Sequence, residues 1–160
     1  MKELVGKLVT GVYVSNTQHF MKFNIKDEPP IIYYADGDCC SETWFADIIV
    51  ENGFYRENRK DHPLQVVDCE ELDIPEWLHS VIENDGRGKQ DSDRVYGFKL
   101  TFNDLAWKYR ETNNMTIIFR NSSNGYYGGG VELLDEDSRY YQGLLNGVEW
   151  VEITDNWRSE

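Results

Sequence analysis

Three cysteines and three histidines are the side chains of this sequence best suited to nucleophilic or metal chemistry. Cys39 and Cys40 are adjacent and stand just ahead of an apolar run that begins at Trp44, whereas Cys69 stands alone. A thiolate with a histidine base beside it makes a nucleophile. His62, in a charged segment that can fold back over the two thiols, is the histidine placed to serve. His19 and His79 fall on strand-like and helix-like stretches and read as surface residues. Asp36, Asp38 and Glu42 crowd the same two thiols, and nearby negative charge raises a thiol pKa and opposes the nucleophile. The competing account makes Cys39 and Cys40 small packed side chains where a strand meets a helix.

Metal and phosphate chemistry find weaker footing. Structural zinc sites present cysteines about two to four residues apart, so adjacent thiols with no paired histidines after them fit poorly. Asp36-Gly37-Asp38, Asp91-x-Asp93 and Asp135-Glu136-Asp137 lack the calcium-loop spacing with its bidentate glutamate. Gly86-Arg87-Gly88-Lys89 lacks the spacing and the following Ser or Thr of a phosphate loop. Gly128-Gly129-Gly130 lies in a strand-like context, where glycine marks a bulge or a close backbone approach. No cofactor is expected.

Charge speaks more clearly. Twenty-nine acidic residues against sixteen basic ones give a net charge of −13. Such a field repels phosphate backbones and disfavours direct nucleic-acid binding, while it attracts basic partners. Acids cluster at Asp68, Glu70, Glu71, Asp73 and Glu76 with no base between them. A second group spans Glu132, Asp135, Glu136 and Asp137, and a third is scattered over Glu149, Glu152, Asp155 and Glu160. If these share a face they imitate the charge array of a nucleic-acid backbone. Tyr126, Tyr127, Tyr140 and Tyr141 supply the aromatic side chains enriched in interface cores. No apolar run approaches the ~20 residues that span a bilayer, and the first residues carry no signal-peptide core. Three cysteines make a poor disulfide framework, which points to a reducing cytoplasm.

The elements that must position these residues follow from periodicity. At 160 residues with 40% hydrophobic content, a single domain over 1–160 is expected. Residues 8–14, 19–25 and 31–34 read as a three-stranded antiparallel meander. Ser41 reads as an N-cap, Trp44, Phe45, Ile48 and Ile49 recur at helical spacing, and Gly53 suits a helix end, which predicts a helix over 42–52. Asp73-Ile74-Pro75-Glu76 has the form of a capping box ahead of Trp77, Leu78, Val81 and Ile82, which predicts a second helix over 74–83. Residues 55–63 read as an exposed excursion and 84–93 as a loop. Strands are expected over 64–69, 95–102, 105–109, 115–120, 126–134 and 148–153. Turns fall at Asn103-Asp104 and Asn113-Asn114, and Asn146-Gly147 has hairpin composition. The fold class expected is α+β, mainly antiparallel sheet with two helices.

Gly37-Asp38-Cys39-Cys40-Ser41-x-x-Trp44-Phe45, together with the Asn124 to Gly129 element, resembles a small family of phage and prophage-associated proteins to which no reaction is assigned. The resemblance covers the first sixty residues and about 115–134, and leaves 55–92 unmatched. It implies a phage-linked, intracellular protein and transfers no catalytic residue. The reading that results is a non-catalytic cytoplasmic interaction module, presenting an acidic surface to a basic host protein that handles nucleic acid or serves in defence. The competing reading is a small cysteine-dependent or metal-assisted enzyme centred on Cys39, Cys40 and His62.

Overall fold

The computed structural model describes residues 1–38, 40–51, 59–74, 92–104, 112–124, 129–135 and 137–154. Among these residues nine strands form one antiparallel sheet. They are β1 (Leu8–Ser15), β2 (Phe20–Ile25), β3 (Ile31–Gly37), β4 (Glu42–Val50), β5 (Leu64–Asp73), β6 (Ser92–Asp104), β7 (Thr112–Ser123), β8 (Gly129–Leu133) and β9 (Trp150–Glu152). The order is β4-β7-β6-β5-β1-β2-β3-β8, with β9 paired to β1 beside this path. Among the described residues there is one α-helix, α1 (Arg139–Leu144), of six residues, with short 3-10 turns at Lys2–Leu4 and Leu145–Gly147.

The expected α+β class is therefore corrected to all-β, and the segment 42–52 is the main reason. Glu42–Val50 is a strand paired residue by residue with β7, with an irregularity between Phe45 and Asp47. Thr43, Trp44, Phe45 and Ala46 are all buried. Phe45 and Ile48 face the main core, while Trp44 and Ala46 face a second cluster with Val95 and Ile118. A strand covered on both faces shows a continuous apolar run, and in so short a window that run mimics helical spacing. Aromatic and β-branched side chains then favour the extended state. Residues 75–83 of the second expected helix lie outside the described residues. Ile74, at its start, is not helical and packs on the Trp44 cluster.

The meander β1-β2-β3 and the strands at 64–69, 95–102 and 115–120 are present, and β7 lies between β4 and β6, second from one end of the order. Asn103 and Asn113-Asn114 lie inside long strands, where Asn103 pairs with Thr112 and Phe102 with Asn113. Asn146-Gly147 sits in a 3-10 turn, and β9 pairs with β1, Tyr13 opposite Glu152, rather than across a hairpin. The strand expected over 105–109 lies outside the described residues. Between 126 and 134 the described strand is Gly129–Leu133.

The sheet curls, barrel fashion, until its two ends meet. At that seam the Phe45 N–H donates to the Gln18 carbonyl (2.8 Å), and the Gln18 side-chain amide donates to the Phe45 carbonyl (2.9 Å). Gln18 holds a positive φ of 63°. His19 Nδ1–H donates to the Thr43 carbonyl (3.0 Å), and Asn121 Nδ2 donates to Thr43 Oγ1 (2.9 Å). Inside lie Val9, Val12, Phe23, Tyr33, Phe45, Leu100, Phe102 and Ile117, among others, all nearly inaccessible. Arg59 and Asp104 form a buried ion pair (3.0 Å) that ties the turn before β5 to the end of β6. Arg120 is fully buried, its guanidinium 4.9 Å from the centre of the Trp44 ring.

Gly129 is required where β8 crosses the seam. A Cβ there would stand 2.0 Å from Thr43 Oγ1, 2.4 Å from Asn121 Nδ2 and 2.7 Å from the Asp36 carbonyl, whereas one at Gly130 meets nothing within 4 Å. Gly129→Ala is expected to lower unfolding stability by about 1–3 kcal/mol through overpacking, with Gly130→Ala much closer to neutral, as read by urea denaturation. A second expectation concerns pH. Burial, and then the hydrogen bond its hydroxyl donates to Glu3 (2.9 Å), push the Tyr33 phenol pKa far above its ordinary value of 10.0. The folded state thus favours the protonated phenol, so that contribution is complete below that value and drains away as pH rises above it. Alkaline unfolding is expected to begin above about pH 10, with a shallower loss of stability in Tyr33→Phe.

Candidate functional site

The residues expected from sequence to do covalent chemistry are kept apart. Cys40 is exposed, with φ of 66°, in the connection between β3 and β4 at the seam. His62 is exposed in the turn ahead of β5, where Leu64 pairs with Val9. His19, beside Thr43 of the seam, is also held by its N–H donating to Ser15 Oγ at the far end of β1. His62 thus lies near the Val9 end of β1, and Cys40 lies in the connection leading to Thr43, which His19 links to the Ser15 end, about 20 Å of strand away at about 3.3 Å per residue. Cys69 lies on β5 against the main core. Burial above all raises its thiol pKa; the N-terminal charge opposes this, Asp68 and Glu3 reinforce it, and Lys2 opposes it least. Cys39 lies outside the described residues. Among the described residues no group of three or more His, Cys, Asp or Glu side chains is placed to hold a metal ion.

The acidic clusters are likewise separated. Asp68, Glu70, Glu71 and Asp73 lie on β5, and Glu132 lies on β8. Strands β1, β2 and β3 stand between them on one side, and β6, β7 and β4 on the other. Asp135 serves its own loop: Oδ1 accepts from the Asp137 N–H and from Ser138 Oγ, each at 3.0 Å, just ahead of α1. Glu76, Glu136, Tyr126 and Tyr127 lie outside the described residues. Tyr141 stacks on Tyr34 (3.9 Å between ring centres) and donates its hydroxyl to Asp36, while Tyr140 is 73% exposed. Burial, then the Asp36 contact, raises the Tyr141 pKa well above the usual phenol range. This pair closes a shallow groove of about 270 Å³ at the seam, shared with His19, Phe20, Glu42 and Thr43.

A second groove, of about 370 Å³, joins acids to an aromatic floor. Alternation along β5 divides its four carboxylates. Asp68 and Glu70 point one way, Glu70 opposite Lys99 of β6. Glu71 and Asp73 point the other way, on the side of Cys69, opposite Phe98 and Tyr96. Tyr96 stacks on Phe119 (5.0 Å, 19° between planes), as does Phe98 (5.6 Å, 18°). Two carboxylates therefore edge a layer of three rings at the end of the curled sheet, where the apolar interior opens outward. Ring faces and carboxylates both attract cations. The size is within the range of small-ligand clefts.

Glu71 and Asp73 were legible in the sequence as acids, but their floor was not. Tyr96 and Phe98 show there only as an alternating apolar face, and Phe119 belongs to another strand. His19 at the seam was read as a surface residue. The signal that finds the groove is the run of acids at Asp68, Glu70, Glu71 and Asp73 with no base between them.

The structure defines an antiparallel all-β protein whose sheet closes on itself and opens at one end into an acidic, aromatic groove. By sequence the chain belongs to the family Domain of unknown function (DUF7448), whose model matches residues 2–133. It is also similar to "Uncharacterized protein L278" of Acanthamoeba polyphaga mimivirus, 24% identical over 132 residues that cover 78% of this chain and 85% of that protein. No solved structure matches the chain. The kinship anticipated from the Gly37 to Phe45 stretch holds at the coarser level of a family without assigned function and a viral relative. Among the described residues no helix is long and apolar enough to cross a membrane.

The cysteines provide a direct check of this geometry. With thiol-specific alkylation at pH 8 read by peptide mass mapping, Cys40 is expected to react first and Cys69 at least about tenfold more slowly, since thiolate fraction and access set the rate.

Proposed function

We propose that this chain is a non-catalytic intracellular binding module, working in the host cytoplasm, that takes a cationic segment of a partner protein into the groove between β5 and β7. One observation carries the reading: Glu71 and Asp73 stand beside stacked Tyr96, Phe119 and Phe98. A lysine or arginine side chain satisfies both halves of such a site, its charge on the carboxylates and its stem or guanidinium plane on the rings. The overall charge of −13 adds long-range attraction for a basic partner. The viral relative is in keeping with a partner drawn from a host, such as a basic protein that handles nucleic acid or serves in defence. The separation of the β5 and β8 acids favours a local groove over a nucleic-acid-like charge array spanning both.

The test uses a fluorescein-labelled peptide of alternating lysine and valine, with binding read by anisotropy. Affinity is expected to fall steeply between low and high salt, because exposed charge pairs are screened within about 10 Å at 0.1 M. Glu71→Gln with Asp73→Asn is expected to weaken binding about tenfold or more, at the scale of charge-assisted hydrogen bonds. Glu132→Gln on β8 should leave it unchanged. Equal loss from the β8 change, or no loss from the β5 pair, would overturn the reading.

A further inference from the structure

Among the described residues, the outer edge of β5 past Val66 has no strand beside it. β5 pairs with β1 only at Leu64 and Gln65, opposite Val9 and Leu8. One further turn of backbone holds Val66, whose N–H donates to the Lys7 carbonyl (3.0 Å) and whose carbonyl accepts from Gly6 (2.7 Å). Past Val66 the chain facing β5 is the stretch before β1, whose 3-10 turn Lys2–Leu4 lies near β5 without forming a strand. From Asp68 to Asp73 it is hydrogen-bonded to β6 on one side. Among the described residues, no backbone hydrogen bond reaches its other edge. Asp68, Glu70, Glu71 and Asp73 are exposed and Cys69 and Leu72 half-buried along this stretch.

We infer that Asp68–Asp73 receives a cationic segment of another protein in extended form, as an added strand beside β5. This rests on the binding reading above and specifies how the ligand is held. A strand added at this edge satisfies backbone groups on both chains, which gives affinity without side-chain specificity. Specificity then comes from alternation. Every second side chain of the added strand falls on the groove side, next to Glu71 and Asp73, and the intervening ones fall on the side of Asp68 and Glu70. Both faces of the edge are acidic, so a strand with basic residues on either face is favoured. A second copy of this chain is disfavoured, because two such edges side by side set carboxylate against carboxylate. Proteins commonly charge an open edge to prevent self-pairing. Here the same charges leave the edge open to a strand of opposite sign.

The experiment compares the lysine–valine peptide with the same peptide N-methylated at alternate residues, in each of the two registers. Methylation leaves the charge intact and removes the backbone donors on one edge. One register is expected to bind about tenfold more weakly or worse, from the loss of several hydrogen bonds at once, and the other like the parent. Amide hydrogen exchange of the full chain should show new protection within residues 68–73 when the parent peptide is bound. Equal binding by all three peptides, with exchange at 68–73 unchanged, overturns the added strand while leaving the cationic groove standing. Failure of the parent peptide to bind at low salt overturns both.

Discussion

The clasp between Gln18 and Phe45 is the contact on which the closed sheet depends. Phe45 is inaccessible, so its N–H and carbonyl must be satisfied from within. Both are met by Gln18, one by its backbone and one by its side-chain amide. A buried peptide group left without partners costs about 1–3 kcal/mol each. The clasp takes the place of a neighbouring strand at the point where β4 would otherwise be an open edge. Gln18 makes it from the turn between β1 and β2, with a positive φ and its own N–H donating to the Ser15 carbonyl (2.9 Å). On the opposite face of β4 and β7, Trp44, Arg120 and Ile118 form a packed layer outside the main core.

Closure also explains where the groove lies. A sheet that meets itself at β4 must end its other long strands somewhere, and β5 outlasts its neighbour β1. Past that point the interior rings of β6 and β7 lose their cover on one side. Tyr96 and Phe98 remain half-buried, and the strand that edges them changes from valine and leucine to glutamate and aspartate. The acids are placed where hydrophobic burial ceases, and there they meet aromatic faces without being buried themselves.

Elsewhere, charged side chains serve the frame. Arg59 and Asp104 neutralise one another in the interior, and Arg59 also donates to the His62 carbonyl (3.2 Å). Removing one partner of such a pair leaves a buried charge behind, which costs about 3–5 kcal/mol. Asp135 builds the turn into α1, and Asp36 anchors Tyr141. Acidity in this sequence is thus partly structural and partly open to a partner, and composition does not separate the two.

Alternation and turn chemistry by themselves determined the meander β1-β2-β3, the strands through 64–69, 95–102 and 115–120, the acidity of β5 and the close approach at Gly129. These are local properties, fixed by period and by backbone sterics over a few residues. Tertiary structure alone decided that 42–50 is a strand, because burial on both faces erases the alternation that would have announced it. It decided too that Asn103 and Asn113-Asn114 continue strands, since long-range pairing outweighs their weak turn preference. The pairing of β9 with β1, the separation of Cys40 from His62, and the meeting of Glu71 and Asp73 with Phe119 are all consequences of strand order. Strand order is chosen by which faces bury together across the whole sheet, and no window of sequence contains that choice.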